Sequence, residues 1–489
     1  MKKWSTHWPY LASLICFVYV ICRAYAIPLT YDEIWTIESL FDRTASDIFT
    51  YKELGSNSHL LNSLCIWFFH QNEAQLQWSE PLLYRLPNVL AFLLYAWFTI
   101  RLMRSLPAGR LQVMAFVLCF CNPFLLEFFS LARGYGLALA FTSASLYYLN
   151  QFRLQSSSTP TLTLIWASFA VLANFTWLNF YLVLLPVLVY LGWTKTSRVY
   201  ISRSFWAGLA LPSLILVAII LKPIIKLRQG DELWYGGQTG LVYDTFTSLF
   251  LGVMGFETVD RIAHLVLLAI FFLLVLFPVI YLRQRKEVMP FLQSAAFMFM
   301  LLFVLLSLSS ILQNILFKTP FLVERTALVF LLPLLWLLLT SCELTRDKKY
   351  GTVASSGLAI LSLATVFNFM YRANFTHSYS WPFDARSEAV MDYLNKQGEQ
   401  TKDTIHLNFS WIMNVSLKHA AQTNNFPWVH LMEGDAGHAK MDYYYMYTNN
   451  REYAGYNGYN AYSALPDSIF RDTALYFPRQ DLILLKVQK

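Results

Sequence analysis

Charge is scarce in this chain. Only 14% of its 489 residues are Asp, Glu, Lys or Arg, where an ordinary soluble domain carries about a quarter. That shortage excludes a simple water-soluble fold. Cysteine is also sparse, and none falls in the polar C-terminal region. Cys16, Cys22, Cys65, Cys119, Cys121 and Cys342 all lie in or beside apolar segments. They imply neither a disulfide framework nor a metal-type ligand spacing. There is no internal repeat. Acids are nearly missing from the long apolar runs, which argues against a transporter or flippase, a class that sets its charges near mid-span. That class is kept as the alternative function.

Hydrophobicity is what the chain has in quantity: 56% of residues are hydrophobic and the mean hydropathy is +0.42. Apolar runs of about 18 to 25 residues read as membrane-spanning helices. In lipid a helix or a closed barrel is required to satisfy the backbone, so the main body is an α-helical polytopic membrane protein. Spans are expected at 8–27, 81–101, 111–129, 134–149, 162–175, 177–193, 205–221, 262–282, 290–316, 321–339 and 353–371, about eleven in all. The basic start and Ala24-Tyr25-Ala26 resemble a cleaved leader. The length of the run and Arg23 favour an uncleaved first span.

The 59–69 piece is too short to cross and reads as a helix lying at the membrane surface. Basic residues decide the matter. Lys2 and Lys3; Arg101, Arg104 and Arg110; Arg153; Lys195, Arg198 and Arg203; Arg283, Arg285 and Lys286; and Arg346, Lys348 and Lys349 all fall on one side only if 59–69 does not cross. The positive-inside rule makes that side cytoplasmic. The net charge of +7 is therefore a topology signal, not a sign of nucleic-acid binding.

Two regions then face away from the cytoplasm. One is the outer loop 28–80, with a polar, acidic stretch over 28–58. The other is the region 372–489, so that 1–371 forms the membrane module. The second region has a helical stretch at 387–396 and strand-like alternation at 428–431 and 481–485, which predicts a small α/β domain. Its Tyr-, Asn- and Gly-rich stretch 442–462 is either an aromatic surface for sugar or an edge strand and turns with packing tyrosines. The sequons at Asn174, Asn374, Asn408 and Asn414 are short enough to arise by chance and matter only in a eukaryotic secretory setting.

The outer face collects the unusual charges. Asp32 and Glu33 follow the first span, and His59 opens the surface helix. Arg133 and Tyr135 lie at the corner between spans three and four. Lys222, Lys226, Arg228, Asp231 and Glu232 fall in the loop after span seven, and Glu324 and Arg325 open span ten. Cations that hold a phosphate leaving group, with a carboxylate that takes a hydroxyl proton, suit a reaction on a phosphorylated lipid. Each residue also has a plainer reading. Asp32, Glu33, Asp231 and Glu232 are then solvated loop acids, Arg133 and Arg325 snorkelling anchors, and Lys222 and Lys226 lipid-phosphate contacts. His59 is then a capping residue.

Order and spacing resemble the polyprenyl-phosphate-sugar-dependent glycosyltransferases of the GT-C superfamily, which includes protein O-mannosyltransferases and the lipid A aminoarabinose transferase. The shared features are Tyr31-Asp32-Glu33-Ile34-Trp35, the helix from His59, Tyr84-Arg85-Leu86-Pro87, the corner Asn122-Pro123 to Ala132-Arg133-Gly134-Tyr135, and Glu324-Arg325-Thr326. Leu131 stands where many members carry an acid, with Glu127 nearby out of register, and Thr326 replaces a Tyr. The resemblance implies that Asp32 is the general base and that Glu33 shapes the site or assists a metal. Arg133 and Arg325 would bind donor phosphate, and His59 would orient a substrate. The partners implied are a polyprenyl-phosphate-linked sugar donor, a glycan, lipid or protein acceptor, and membrane lipid, in a bacterial inner membrane. Some members use a divalent metal ion and others none; no cofactor is otherwise implied. The N-terminus is expected in the cytoplasm. A reporter fused after Tyr371 should therefore be active outside it, and a cytoplasmic signal would overturn this topology.

Overall fold

The computed structural model describes residues 4–72, 79–154, 159–194, 202–230, 232, 235–255, 288–345, 349–432, 441–448 and 470–487. The chain divides into two compact units: Met1–Ala24 with Leu40–Ala373, and Tyr25–Ser39 with Asn374–Lys489. The expected span at 262–282 and the basic clusters at 195–198, 283–286 and 346–348 lie outside the described residues.

The larger unit is helical. Its elements begin with α1 (Trp4–Ala26), which runs across the division after Ala24; α2 (Tyr31–Glu38) belongs to the other unit. Next come α3 (Ala45–Phe49), α4 (Leu60–Gln71), α5 (Glu80–Met103), α6 (Arg110–Phe120), α7 (Pro123–Glu127), α8 (Tyr135–Leu154), α9 (Thr159–Ala173) and α10 (Leu178–Trp193). Then follow α11 (Arg203–Gln229), α12 (Thr247–Met254), α13 (Val288–Leu292), α14 (Ala295–Phe317), α15 (Leu331–Thr345) and α16 (Lys349–Arg372). Among the described residues seven helices are long and apolar enough to cross a membrane. The polytopic helical architecture therefore stands, while these seven do not confirm the count of about eleven.

Several boundaries move for local reasons. The run 111–129 is not one helix. Cys121 leaves the helical conformation, Asn122 caps α7 by accepting from the Leu125 amide at 3.2 Å, and Pro123 starts the new turn as proline favours. The helix after span six overruns its expected end, because α11 continues to Gln229 through Pro212 and Pro223. Lys222 is thus an exposed helical residue and not part of a loop. The stretch 28–58, expected as loop, contains α2 and α3.

Helix α8 is the hub, packing on both α5 and α9. Its buried Ala138, Ala140, Ser143, Ala144 and Ser145 are small enough to let backbones approach, as membrane helices require. Cross-links follow: Thr99 and Ser143 hydroxyls meet at 2.7 Å, and Ser145 Oγ donates to the Thr163 carbonyl at 3.0 Å. At the end of α1, Arg23 pairs with Glu127 of α7 at 3.5 Å, both side chains fully buried. Arg85 of α5 donates to the Ala24 carbonyl at 3.0 Å. Glu127, which sequence alone places out of register, is therefore the partner of Arg23.

The smaller unit holds a five-stranded mixed sheet built from β1 (Ile405–Phe409), β2 (Val429–Met432), β3 (Tyr443–Tyr447), β4 (Phe470–Phe477) and β5 (Leu482–Val487), in the order β2-β1-β3-β5-β4. Strands β2, β1 and β3 run parallel, and β5 is antiparallel to both β3 and β4. Helix α17 (Ser387–Thr401) packs on β1, β2 and α18 (Asn414–Thr423). The α/β expectation holds. Strand β3 is central and every residue of it is buried. Tyr443–Tyr447 is therefore neither an edge strand nor a sugar-facing surface. The rest of that tyrosine-rich stretch, 449–462, lies outside the described residues.

Removing one member of a buried ion pair strands the other charge, at a cost of about 3–5 kcal/mol. Glu127→Ala should accordingly lower the detergent-solubilised melting temperature sharply, and an unchanged melting curve would show the pair to be dispensable.

Candidate functional site

In the larger unit a polar network forms around the corner that precedes α8. Asn62 of α4 donates to the Ala132 carbonyl at 2.9 Å and accepts from Asn88 of α5 at 3.0 Å. Asn88 in turn accepts from the Leu137 amide at 3.1 Å. Three helices are thereby fixed on the backbone either side of Arg133. Gly134 has φ +72°, and an added Cβ would lie 2.2 Å from the Ala173 carbonyl oxygen. The corner can turn here only without a side chain.

Arg133 is 2% exposed. It is therefore not a snorkelling anchor. Its guanidinium donates to the Asn57 carbonyl at 3.0 Å and to Asn57 Oδ1 at 3.3 Å. The loop that carries Asn57 is tied down from below by Tyr51, whose hydroxyl reaches the carbonyls of Gly55 and Ser58. Ser56 donates through its amide and hydroxyl to Glu232 at 3.2 and 3.3 Å, so Glu232 is not a merely solvated acid. Asp231 lies outside the described residues.

His59 precedes α4 and is buried. Its partner is Asn174, with Nδ2 3.0 Å from Nε2. The Asn174 carbonyl oxygen already accepts from the Thr176 amide at 3.0 Å and its hydroxyl at 2.8 Å. The Asn174 amide nitrogen therefore faces the imidazole as donor, and Nε2 must accept. Burial, with Arg133 and Arg325 adding repulsion, pushes the His59 pKa down to about 3. The ring is neutral at physiological pH, so its single proton sits on Nδ1. Nδ1 is buried and has no hydrogen-bond partner among the described residues. Asn174 is thus a buried structural residue, not an exposed sequon.

Arg325 completes the cluster. A loop strand is pinned to it by the Gly237–Phe321 bridge, with both N–H···O distances 2.8 Å. This places Tyr235 under the Arg325 guanidinium, 4.8 Å from ring centroid to cation. Tyr235 donates to Glu324 at 3.0 Å, and Arg325 lies 3.8 Å from the same carboxylate. Glu324 has φ +48°, an uncommon conformation for a residue with a side chain. Its amide donates to Ser248 Oγ at 2.7 Å. Tyr135 stands edge-on to His59, with centroids 6.0 Å apart. The structure thus brings His59, Arg133, Tyr135, Glu324 and Arg325 into one neighbourhood. Among the described residues Lys222, exposed on α11, forms no hydrogen bond or ion pair with any of them.

In the smaller unit the acidic pair opens α2. Asp32 is 5% exposed and Glu33 0%, so the plainer reading of solvated loop acids does not hold. Glu33 Oε2 accepts from the Thr30 amide at 2.9 Å and from its hydroxyl at 3.0 Å. That satisfies an amide at the helix entry. The two acids are thereby distinguished: Glu33 is committed to capping Thr30, and Asp32, the residue before it, is not part of that cap. The helix C-terminal end is held by Glu38, 3.7 Å from His419 of α18. Asp384 also reaches this helix, accepting from the Tyr31 amide at 2.6 Å.

Sequence reasoning did not assign roles to Asn57, Asn174, Tyr235 or Asp384. The available signal was an asparagine inside an otherwise apolar segment, as at Asn62, Asn88 and Asn174, since such a group must find a partner. Among the described residues no group of three or more His, Cys, Asp or Glu side chains is arranged to hold a metal ion.

Gly134→Ala should displace the Ala173 carbonyl and with it Arg133, destabilising the protein by about 2 kcal/mol or more. A melting temperature equal to wild type would show that the corner can relax.

No family profile and no curated protein matches the chain. Among solved structures it is similar to ArnT from Cupriavidus metallidurans bound to undecaprenyl phosphate, with 10% identity, TM-score 0.47 and 98% of each chain covered. It is also similar to that protein in the apo state, with 11% identity, TM-score 0.48 and the same 98% coverage of both chains.

Proposed function

We propose that the protein is an integral-membrane glycosyltransferase that moves a sugar from a polyprenyl-phosphate donor to a hydroxyl of a glycan, lipid or protein acceptor outside the cytoplasm. One observation carries this reading. The neutral His59 offers a buried, unpartnered Nδ1–H between the influences of two cations, Arg133 and Arg325. A buried N–H donor within the electrostatic reach of two guanidiniums suits a phosphate, an anion whose oxygens can accept from donors of both kinds.

In the proposed reaction the acceptor oxygen attacks the anomeric carbon as the bond from that carbon to the phosphate oxygen breaks. The leaving polyprenyl phosphate keeps the electron pair and is held by Arg133, Arg325 and His59. Asp32 takes the acceptor proton as general base. A single displacement inverts the anomeric centre. Retention by double displacement needs a further carboxylate as nucleophile. Glu33 is poorly suited to that part, because its Oε2 is engaged by Thr30 at 2.9 and 3.0 Å. Lys222 is left as an exposed cation available to lipid headgroups. Tyr135 packs against the His59 ring, and Glu324 fixes Tyr235 beneath Arg325.

A transporter or flippase would concentrate buried charge at mid-span. Here Arg23, Arg85, Glu127 and Arg133 all sit near helix ends or in the corner between α7 and α8, which favours transfer chemistry at one membrane face.

The decisive experiment compares, by mass spectrometry, the envelope glycans and glycolipids of cells with and without the gene. A species one sugar heavier in the wild type is expected. With that species as readout, Asp32→Asn should abolish its formation while membrane-inserted protein still binds undecaprenyl phosphate. Arg133→Ala should weaken that binding about tenfold or more, the loss of a charge-assisted pair. A fully active Asp32→Asn protein would remove Asp32 as the base.

A further inference from the structure

We propose that Asp384 is a positioning residue for Asp32, holding the first turn of α2 in place through the amide of Tyr31. The inference rests on reading Asp32 as the general base. Helix α2 has eight residues, fewer than the roughly 12–15 that an isolated helix needs to persist in water. Its geometry therefore depends on groups outside it. The first four amides of any helix have no partner within it. Asp384 provides one: its Oδ2 accepts from Tyr31, the residue directly before Asp32, at 2.6 Å across 353 positions of sequence.

Asp384 is itself fixed. It lies in the short turn Pro382–Arg386 and is 3% exposed. The flanking Phe383 is buried, and the Arg386 guanidinium stacks 5.2 Å from the Phe477 ring centroid of β4. The sheet of the smaller unit thus aims a buried carboxyl at the helix entry. Burial pushes that carboxyl well above the usual carboxylate range; the hydrogen bonds from Tyr31 and Ser416 pull the other way, and the neighbouring Asp32 and Glu33 push it up again. A protonated carboxyl keeps a carbonyl oxygen that can accept from Tyr31, so an asparagine amide oxygen can replace it.

A misplacement of about 1 Å in a catalytic group can cost about 100-fold in rate. Asp384→Ala should therefore lower product formation by about 10- to 100-fold in membranes carrying equal amounts of protein. Undecaprenyl phosphate binding should stay at the wild-type level. Asp384→Asn should restore activity to within about threefold of wild type, since the acceptor atom is retained. A second pair tests the same contact from the other side. Tyr31 occupies the first helical position, where proline is well tolerated but carries no N–H. Tyr31→Pro should fall well below Tyr31→Ala, which keeps the amide.

The outcomes separate. If Asp32→Asn is inactive while Asp384→Ala and Tyr31→Pro both match their controls, the positioning role is overturned and the proposed reaction stands. If Asp32→Asn is active, the assignment of the base is overturned and this inference with it. If Asp384→Ala loses activity and lipid binding together and Asp384→Asn restores neither, Asp384 is structural only and the proposal fails. Should neither Asp384 variant insert, the Tyr31 pair decides.

Discussion

A polar group placed among apolar helices must find its partner within the protein, and most of this architecture follows from that requirement. Lipid supplies no hydrogen bonds, so each buried amide, carboxylate or guanidinium costs several kcal/mol if left alone. The chain answers with long-range pairs. Arg23 meets Glu127, Arg85 meets the end of α1, and Asn62 and Asn88 clamp the backbone around Arg133. These contacts fix which helix ends come together. They leave Arg133 and His59 buried in the larger unit with charge and hydrogen-bonding capacity suited to an anion.

The same requirement explains why two adjacent acids, indistinguishable by type of position, differ in use. A helix entry exposes amides, and Glu33 folds back on Thr30 to satisfy one of them. Tyr31 is served by Asp384. Asp32 lies between these two anchored residues, in a turn fixed on both sides. A short helix with buried acids would be a poor structure by propensity alone. It persists because the α/β fold of the smaller unit supplies the missing acceptor and a packing surface on α18.

The histidine shows how charge and burial cooperate. The loss of water, with two nearby guanidiniums adding to it, keeps the His59 ring neutral. Asn174, itself fixed by Thr176, then dictates which nitrogen carries the proton. A protonated imidazole would add a third cation to an already positive cluster. A neutral one contributes a directed N–H without the desolvation cost of a charge.

The helical membrane class, the α/β nature of the C-terminal region and the residues Asp32, His59, Arg133 and Arg325 as a set worth testing were legible in the sequence. The physical reason is that hydropathy and alternation are local properties, and a charge beside an apolar run is conspicuous wherever the chain folds. Span ends were less legible, because a capping asparagine at Asn122 and tolerated prolines at Pro212 and Pro223 act over single turns. The partners of those residues could not be read at all. Asn174 looked like a chance sequon, Glu127 like an acid out of register, and Asp384 drew no reading at all. Each became meaningful only when folding brought it to a group far away in the chain: Asn174 to His59, Glu127 to Arg23, Asp384 to Tyr31. Sequence determined which groups had to be satisfied, and tertiary structure alone decided by what.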